Sequence, residues 1–232
     1  MIAQQRYRTR RFVLRQPHAA DEVVAVARLH GWTFVREESS RAGTVRRVIL
    51  EAGFPGLSVL YHERDDPDLC GLAVDSVLGP EAIGTVATLV QGALVPWTLA
   101  ELLDEIDNAA DRVLAVRRAG IGAPLGADAD PAFLRRFSAT AEDAECDVRA
   151  ASVFAMVDTG WPECVPVLEK AARSDSDPAV RDVAAKGAEL LRAVRPGGGA
   201  VPVVVADLFS GDEAPELHRL AMRRLTRGAD DG

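Results

Sequence analysis

The apolar positions divide the chain into two kinds of pattern. In the first hundred residues short runs alternate with helical stretches. Arg11–Arg15 is a short strand candidate, and Ala19–Leu29 is a helix, with Val23, Val26, Ala27 and His30 at three- and four-residue spacing. Asp21 and Glu22 fall in its first turn, where the helix dipole favours acids, and Gly31 is its stop. Thr33–Glu38 and Thr44–Ala52 are strand-like runs joined by a hairpin-type loop. Leu57–Arg64 and Cys70–Leu78 form a second such pair around Asp65-Asp66-Pro67-Asp68. In the last run Cys70, Leu72 and Val74 alternate with Gly71, Ala73 and Asp75, the period of a half-buried strand. Pro80-Glu81 opens a helix carrying Ile83, Val86, Ala87, Val90 and Leu94 on one side. These elements predict an α+β domain over residues 1–96, a four- or five-stranded, mainly antiparallel sheet with helices on one face.

From residue 97 the pattern changes to a repeat. Val116-Arg117, Val148-Arg149 and Val180-Arg181 are spaced by 32 residues, and so are Asp111, Asp143 and Asp175. Small residues follow in register at Ala119-Gly120, Ala151-Ser152 and Val183-Ala184, then at Ala123, Ala155 and Gly187. Each unit reads as a first helix (Leu99–Ile106, Ala132–Ala139, Val165–Arg173) and a second helix starting close to the Val-Arg pair. Neither helix can bury its apolar face alone, so the units must stack. The small residues are expected to let the second helix approach the first, and the Asp and Arg residues to pair as a ladder along the stack. Pro131, Pro162 and Pro178 suit helix starts, with Asp130 and Asp177 as N-caps.

An acid, then Val-Arg, then small residues within a helical pair resembles the HEAT repeat, in particular the short form of phycobilisome-lyase-type proteins, over roughly residues 98–195. The resemblance implies an all-α solenoid, a fold shared by scaffolds, lyases and DNA-alkylation repair proteins. The first unit departs from the pattern: its inter-helix loop is short, and Gly120-Ile121-Gly122 sits where a regular helix is expected. Residues 196–232 read as a linker, Pro196–Gly199, and an irregular terminal helical pair, Val201–Ser210 and Ala214–Arg227. A strand at Val201–Val205 is the alternative, which Pro202 disfavours.

Composition narrows the function classes. The net charge is −8, which disfavours a dedicated nucleic-acid binder. The first fifty residues carry ten Arg against four acids, and residues 51–130 carry four Arg against fourteen acids. The basic start is therefore expected to serve the protein's own acidic surface or an acidic protein. Three widely spaced cysteines form no disulfide framework, and no apolar run is long enough to span a bilayer, so a cytoplasmic protein is expected.

Candidate chemistry is sparse. His62-Glu63 with Asp65, Asp66, Asp68 and Cys70 is the densest group of ligand types. The run reads better as a solvated turn, because strand alternation puts His62 and Glu63 on opposite faces. No nucleophile elbow, phosphate loop or metalloprotease helix occurs, and no cofactor or metal is implied. The leading expectation is an adaptor whose helical repeats recognise a protein or peptide. The alternative is an enzyme or small-molecule binder with a pocket between the α+β domain and the first repeat. Trp97, Gly120, Gly122 and Trp161 are the candidate binding residues; Asp111, Arg117, Asp143, Arg149, Asp175 and Arg181 are the candidate structural ladder.

Overall fold

A computed structural model describes residues 5–39, 46–64, 66, 68–126 and 128–193, and the backbone of 201–203. It divides into two compact units, one of residues 1–98 with 200–232 and one of residues 99–199.

The first unit is a sheet with two helices. Its strands are β1 (Tyr7–Thr9), β2 (Phe12–Val13), β3 (Thr33–Ser39), β4 (Arg46–Glu51), β5 (Leu57–Glu63), β6 (Cys70–Ser76) and β7 (Val201–Val203), and its helices are α1 (Ala20–Leu29) and α2 (Pro80–Leu94). The sheet order is β3-β4-β5-β6-β1-β7, with β2 also on β6. Strands β1–β6 pair antiparallel, and β7 joins β1 in parallel.

The sheet is wider than its hairpins predict, for two reasons. The chain before α1 supplies two short strands instead of one. Thr9 interrupts them: its Oγ1 accepts the Val74 N–H at 3.0 Å and donates to the Arg10 carbonyl at 2.7 Å, taking over a ladder position. The second reason is β7. Val201–Val203, expected to be helical, is instead a strand at the far edge, one of the places in a sheet that tolerates proline. The remainder of the expected terminal pair, residues 204–232, lies outside the described residues.

One face of the sheet holds the core. Val48, Leu50, Leu57, Val59, Tyr61, Cys70, Leu72 and Val74 pack with Val23 and Ala27 of α1 and Ile83, Ala87 and Val90 of α2. β6 is buried along its whole length, whereas the edge strand β3 is exposed throughout.

The second unit is a run of three packed helix pairs: α3 (Leu99–Asn108) with α4 (Arg112–Gly122), α5 (Pro131–Thr140) with α6 (Cys146–Thr159), and α7 (Val165–Ser174) with α8 (Pro178–Ala193). Asp130 accepts from the Ala132 and Phe133 N–H groups, and Asp177 from those of Ala179 and Val180, so both are N-caps. Pro131 and Pro178 begin their helices, and Pro162 opens a single 3-10 turn before α7. Among the described residues no single helix is long and apolar enough to cross a membrane.

The small residues act differently from the expectation. A Cβ on Gly120 would lie 2.4 Å from Ala155 Cα, so Gly120 sets the approach of α4 to α6, the second helix of the next pair. α4 and α6 share the most extensive helix–helix contact in the unit. Ser152 fulfils the expectation, with its Oγ donating to the Phe137 carbonyl of α5 at 2.6 Å, and Gly187 does so in part, since an added Cβ would meet Val157 of α6 at 2.7 Å and Leu168 of α7 at 3.6 Å.

Gly120→Ala should therefore destabilise the protein by about 1–3 kcal/mol, since backbone rather than a flexible side chain must move. Gly84, in α2, meets nothing within 4 Å of an added Cβ. Gly84→Ala should stabilise by about 0.5–1 kcal/mol through lower chain entropy. Paired denaturant melts check both; equal effects would refute the contact.

Candidate functional site

The loops between first and second helices carry a polar ladder. Asp143 and Asp175 each accept a backbone N–H two residues on, from Glu145 at 3.1 Å and Asp177 at 2.8 Å, which orients both carboxylates. Arg149 fills the space between successive loops. Its Nε and Nη2 grip Asp175 at 2.9 and 3.0 Å, while Nη1 donates to the carbonyls of Asp143 and Ala144 at 3.0 and 3.2 Å. One guanidinium thus closes its own loop and holds the next. Arg181 repeats the first half of this pattern, with Nη1 donating to the carbonyls of Asp175 and Ser176 at 2.6 and 3.2 Å.

The first pair differs. Asp111 caps α4 directly by accepting from the Leu114 N–H at 2.9 Å. α4 then starts one residue after its Asp, whereas α6 and α8 start three residues after theirs. Arg112 thereby enters the first turn and binds Asp143. Arg117, the register equivalent of Arg149, instead lies with its Cζ 4.9 Å from the centre of the Phe154 ring.

A hollow of about 320 Å³ opens beside the ladder, lined by Glu142, Asp143, Arg149, Lys170 and Asp175. Its charges pair with one another or with the ladder: Lys170 donates to Glu142 at 2.5 Å, Arg149 to Asp175, and Arg112 to Asp143. The hollow is satisfied internally, a structural feature rather than a receptor for charge.

The four candidate binding residues have distinct places. Trp97 ends the first unit: its N–H donates to the Val13 carbonyl at 2.9 Å, its carbonyl accepts from Arg10 Nη2 at 3.2 Å, and Arg15 stacks on its ring at 4.4 Å. Gly120 is covered by Ala155, and α4 runs as a regular helix through Gly122. Trp161 is 1% exposed and seals the turn before α7.

Two groupings were not expected from the sequence: Phe154 with Leu190, and Tyr61 with His18 around Glu63, which the sequence singled out only beside His62. Phe154, on α6, remains 39% exposed under Arg117, and Leu190, on α8, is 60% exposed. Both lie on the second helices, which form a layer through the α4–α6 and α6–α8 contacts. The 32-residue register places Leu190 one helical turn beyond the position equivalent to Phe154, so the two share a side of the layer.

The other group is in the first unit. Glu63 lies on the core-facing side of β5, where its Oε2 accepts from Tyr61 Oη at 2.8 Å and its Oε1 lies 2.6 Å from His18 Nδ1. Burial, reinforced by Cys70 and Glu63, pushes the Tyr61 phenol up, so it stays a donor. The parity of Glu63 in a run of Leu57, Val59 and Tyr61 was the available signal; His18, 45 residues away in sequence, had none.

His62 occupies the opposite face from Glu63, as alternation requires. Burial, together with Arg11, Arg64 and Arg47, lowers its pKa to about 4. The Leu69 N–H donates to the Asp66 carbonyl at 2.9 Å, and the Asp68 N–H to Asp66 Oδ1 at 2.9 Å, contacts of a turn type. Asp65 and Pro67 lie outside the described residues. Among the described residues no group of three His, Cys, Asp or Glu side chains could hold a metal ion. The basic start of the chain meets its own acid: Arg6 and Arg8 both bind Asp75, which is 3% exposed.

Compared with protein-family models, with curated proteins and with solved structures, the chain matches none.

Two pH effects follow. The Arg149 guanidinium, through its hydrogen bonds, holds Asp175 below the ordinary carboxylate range. Its stabilisation is present above the unfolded value near about pH 4 and is lost as the pH falls through the folded one. Arg149→Ala should lower the melting temperature at pH 7 and leave a shallower loss of stability with acid. Unchanged melts would refute the ladder. His62 is also held neutral, so its contribution is complete above the unfolded value of about 6.5 and declines as the pH falls toward about 4. NMR titration should find one imidazole titrating near pH 4, missing in His62→Gln.

Proposed function

We propose that this chain is a protein-binding adaptor, built as an α+β domain carrying a short HEAT-like solenoid. The layer formed by α4, α6 and α8 is its recognition surface, and the occupant is a folded protein or peptide. The observation that supports this reading is Phe154. A large aromatic ring stays 39% exposed on the central helix of that layer, with an arginine stacked on it. Aromatic and arginine side chains are the residue types that dominate binding energy at interfaces. Leu190 extends the apolar contact onto the next helix.

The ladder supports the same reading, because internally paired loops hold successive helices at a fixed separation. A preorganised surface loses less entropy on binding than a mobile one. The free thiols Cys70, Cys146 and Cys164 suit a reducing cytoplasm.

Affinity capture from the native host tests the proposal with three baits: wild type, Phe154→Ala, and Arg135→Ala, which alters an exposed position on α5. A partner held by wild type and by Arg135→Ala should weaken by about tenfold or more on Phe154→Ala, the loss of roughly 1.4 kcal/mol or more expected at a central contact. The variant should melt like wild type. Equal capture by all three baits would exclude this surface.

A further inference from the structure

The chain of contacts from Tyr61 through Glu63 to His18 runs from the core of the sheet to solvent. Tyr61 is 1% exposed and Glu63 9%, while the His18 side chain is 70% exposed. Glu63 accepts through both oxygens, one from Tyr61 and one from His18. A carboxylate in this position is an acceptor, so Nδ1 of His18 carries the hydrogen it shares. In the neutral ring that tautomer leaves Nε2 with its lone pair, and among the described residues the His18 ring contacts no other polar group. The backbone of His18 has φ +53°, the left-handed region that residues with a Cβ seldom adopt. The chain thus enters α1 through an unfavourable turn while the imidazole remains on Glu63.

We propose that His18 is a phosphoryl-accepting nucleophile, taking a phosphoryl group onto Nε2 from a donor of the phosphoramidate (P–N) class. The Nε2 lone pair forms an N–P bond as the P–N bond of the donor breaks, and the protonated amine of the donor leaves as free amine. Positive charge developing on the imidazole is stabilised by Glu63 through the Nδ1–H, as in carboxylate–imidazole pairs generally. No proton has to leave the ring, so the Glu63 contact persists after transfer.

Two features favour phosphoryl transfer over acid–base work on a small substrate. The imidazole is open to solvent, its side chain 70% exposed, and a phosphoryl carrier must meet donor and acceptor in turn. In addition, α1 begins two residues after His18, and its N-cap, Ala19, makes no side-chain cap bond. The first-turn amides and dipole of this ten-residue helix favour a nearby anion. Asp21 and Glu22 in that turn oppose it. Arg46, the register partner of Glu63, is itself held by Glu37, its Nε donating at 2.8 Å.

The test treats the full-length protein with phosphoramidate and follows it by intact mass and phosphorus NMR, which distinguishes the two ring nitrogens. The expected result is one phosphoryl group per chain on Nε2 of His18, added at least about tenfold faster than in urea, where Glu63 no longer holds the ring. His18→Gln should abolish this addition. Glu63→Gln should slow it by about tenfold, and Asp21→Asn should accelerate it. The wild-type site and rate require no variant to fold. Modification at Nδ1, spread among the other imidazoles, or equally fast in urea would overturn the proposal.

Discussion

The helical unit depends on a close approach between α4 and α6. Gly120 permits it, because even a methyl group there would meet Ala155 backbone at 2.4 Å. Once the second helices sit that near one another, their loops fall within reach of a single arginine. Arg112 of α4 can then bind Asp143 in the next loop, and Gly187, whose added Cβ would lie 2.7 Å from Val157 of α6, plays the matching part where Arg149 reaches Asp175. The ladder is thus a consequence of small residues placed between successive pairs. A side chain at residue 120 would separate the helices and, with them, the partners of Asp143.

The same dependence explains Phe154. α4 starts early relative to its register, so Arg112 takes the carboxylate that Arg149's pattern would assign to Arg117. Arg117 turns instead to the ring of Phe154. A shift of two residues in a helix start converts a structural arginine into one that supports an exposed aromatic. The departure from regularity in the first helical pair therefore lies in the start of α4 rather than in its glycines.

What could be read from the sequence was local. Asp130 and Asp177 cap helices because the cap bond spans two or three residues. The Pro starts, the alternation of β5 and the spacing of the Asp and Arg residues are set within a few residues of each position and have counterparts in the structure, whereas β6, expected to be half-buried from its own alternation, is buried at both parities. What escaped was pairing at a distance. β7 reaches β1 from nearly two hundred residues away, and three residues of β-branched and proline chain carry no signal of that partner. Gly120 was readable as small, but not as facing Ala155 rather than α3. His18 and Glu63 meet only because β5 and the entry to α1 share an end of the sheet.

Glu63 shows how such distant pairings can be approached. A carboxylate at the inward parity of a strand is costly to bury unless something donates to it. Its presence after Leu57, Val59 and Tyr61 implies donors before any are identified. Tyr61 supplies one from the same strand. The second oxygen then requires another donor from elsewhere in the fold, and an imidazole that meets it becomes fixed in one tautomer. Burial of the acid thus determines which nitrogen of His18 faces solvent, so a constraint of folding sets the chemistry available at the surface.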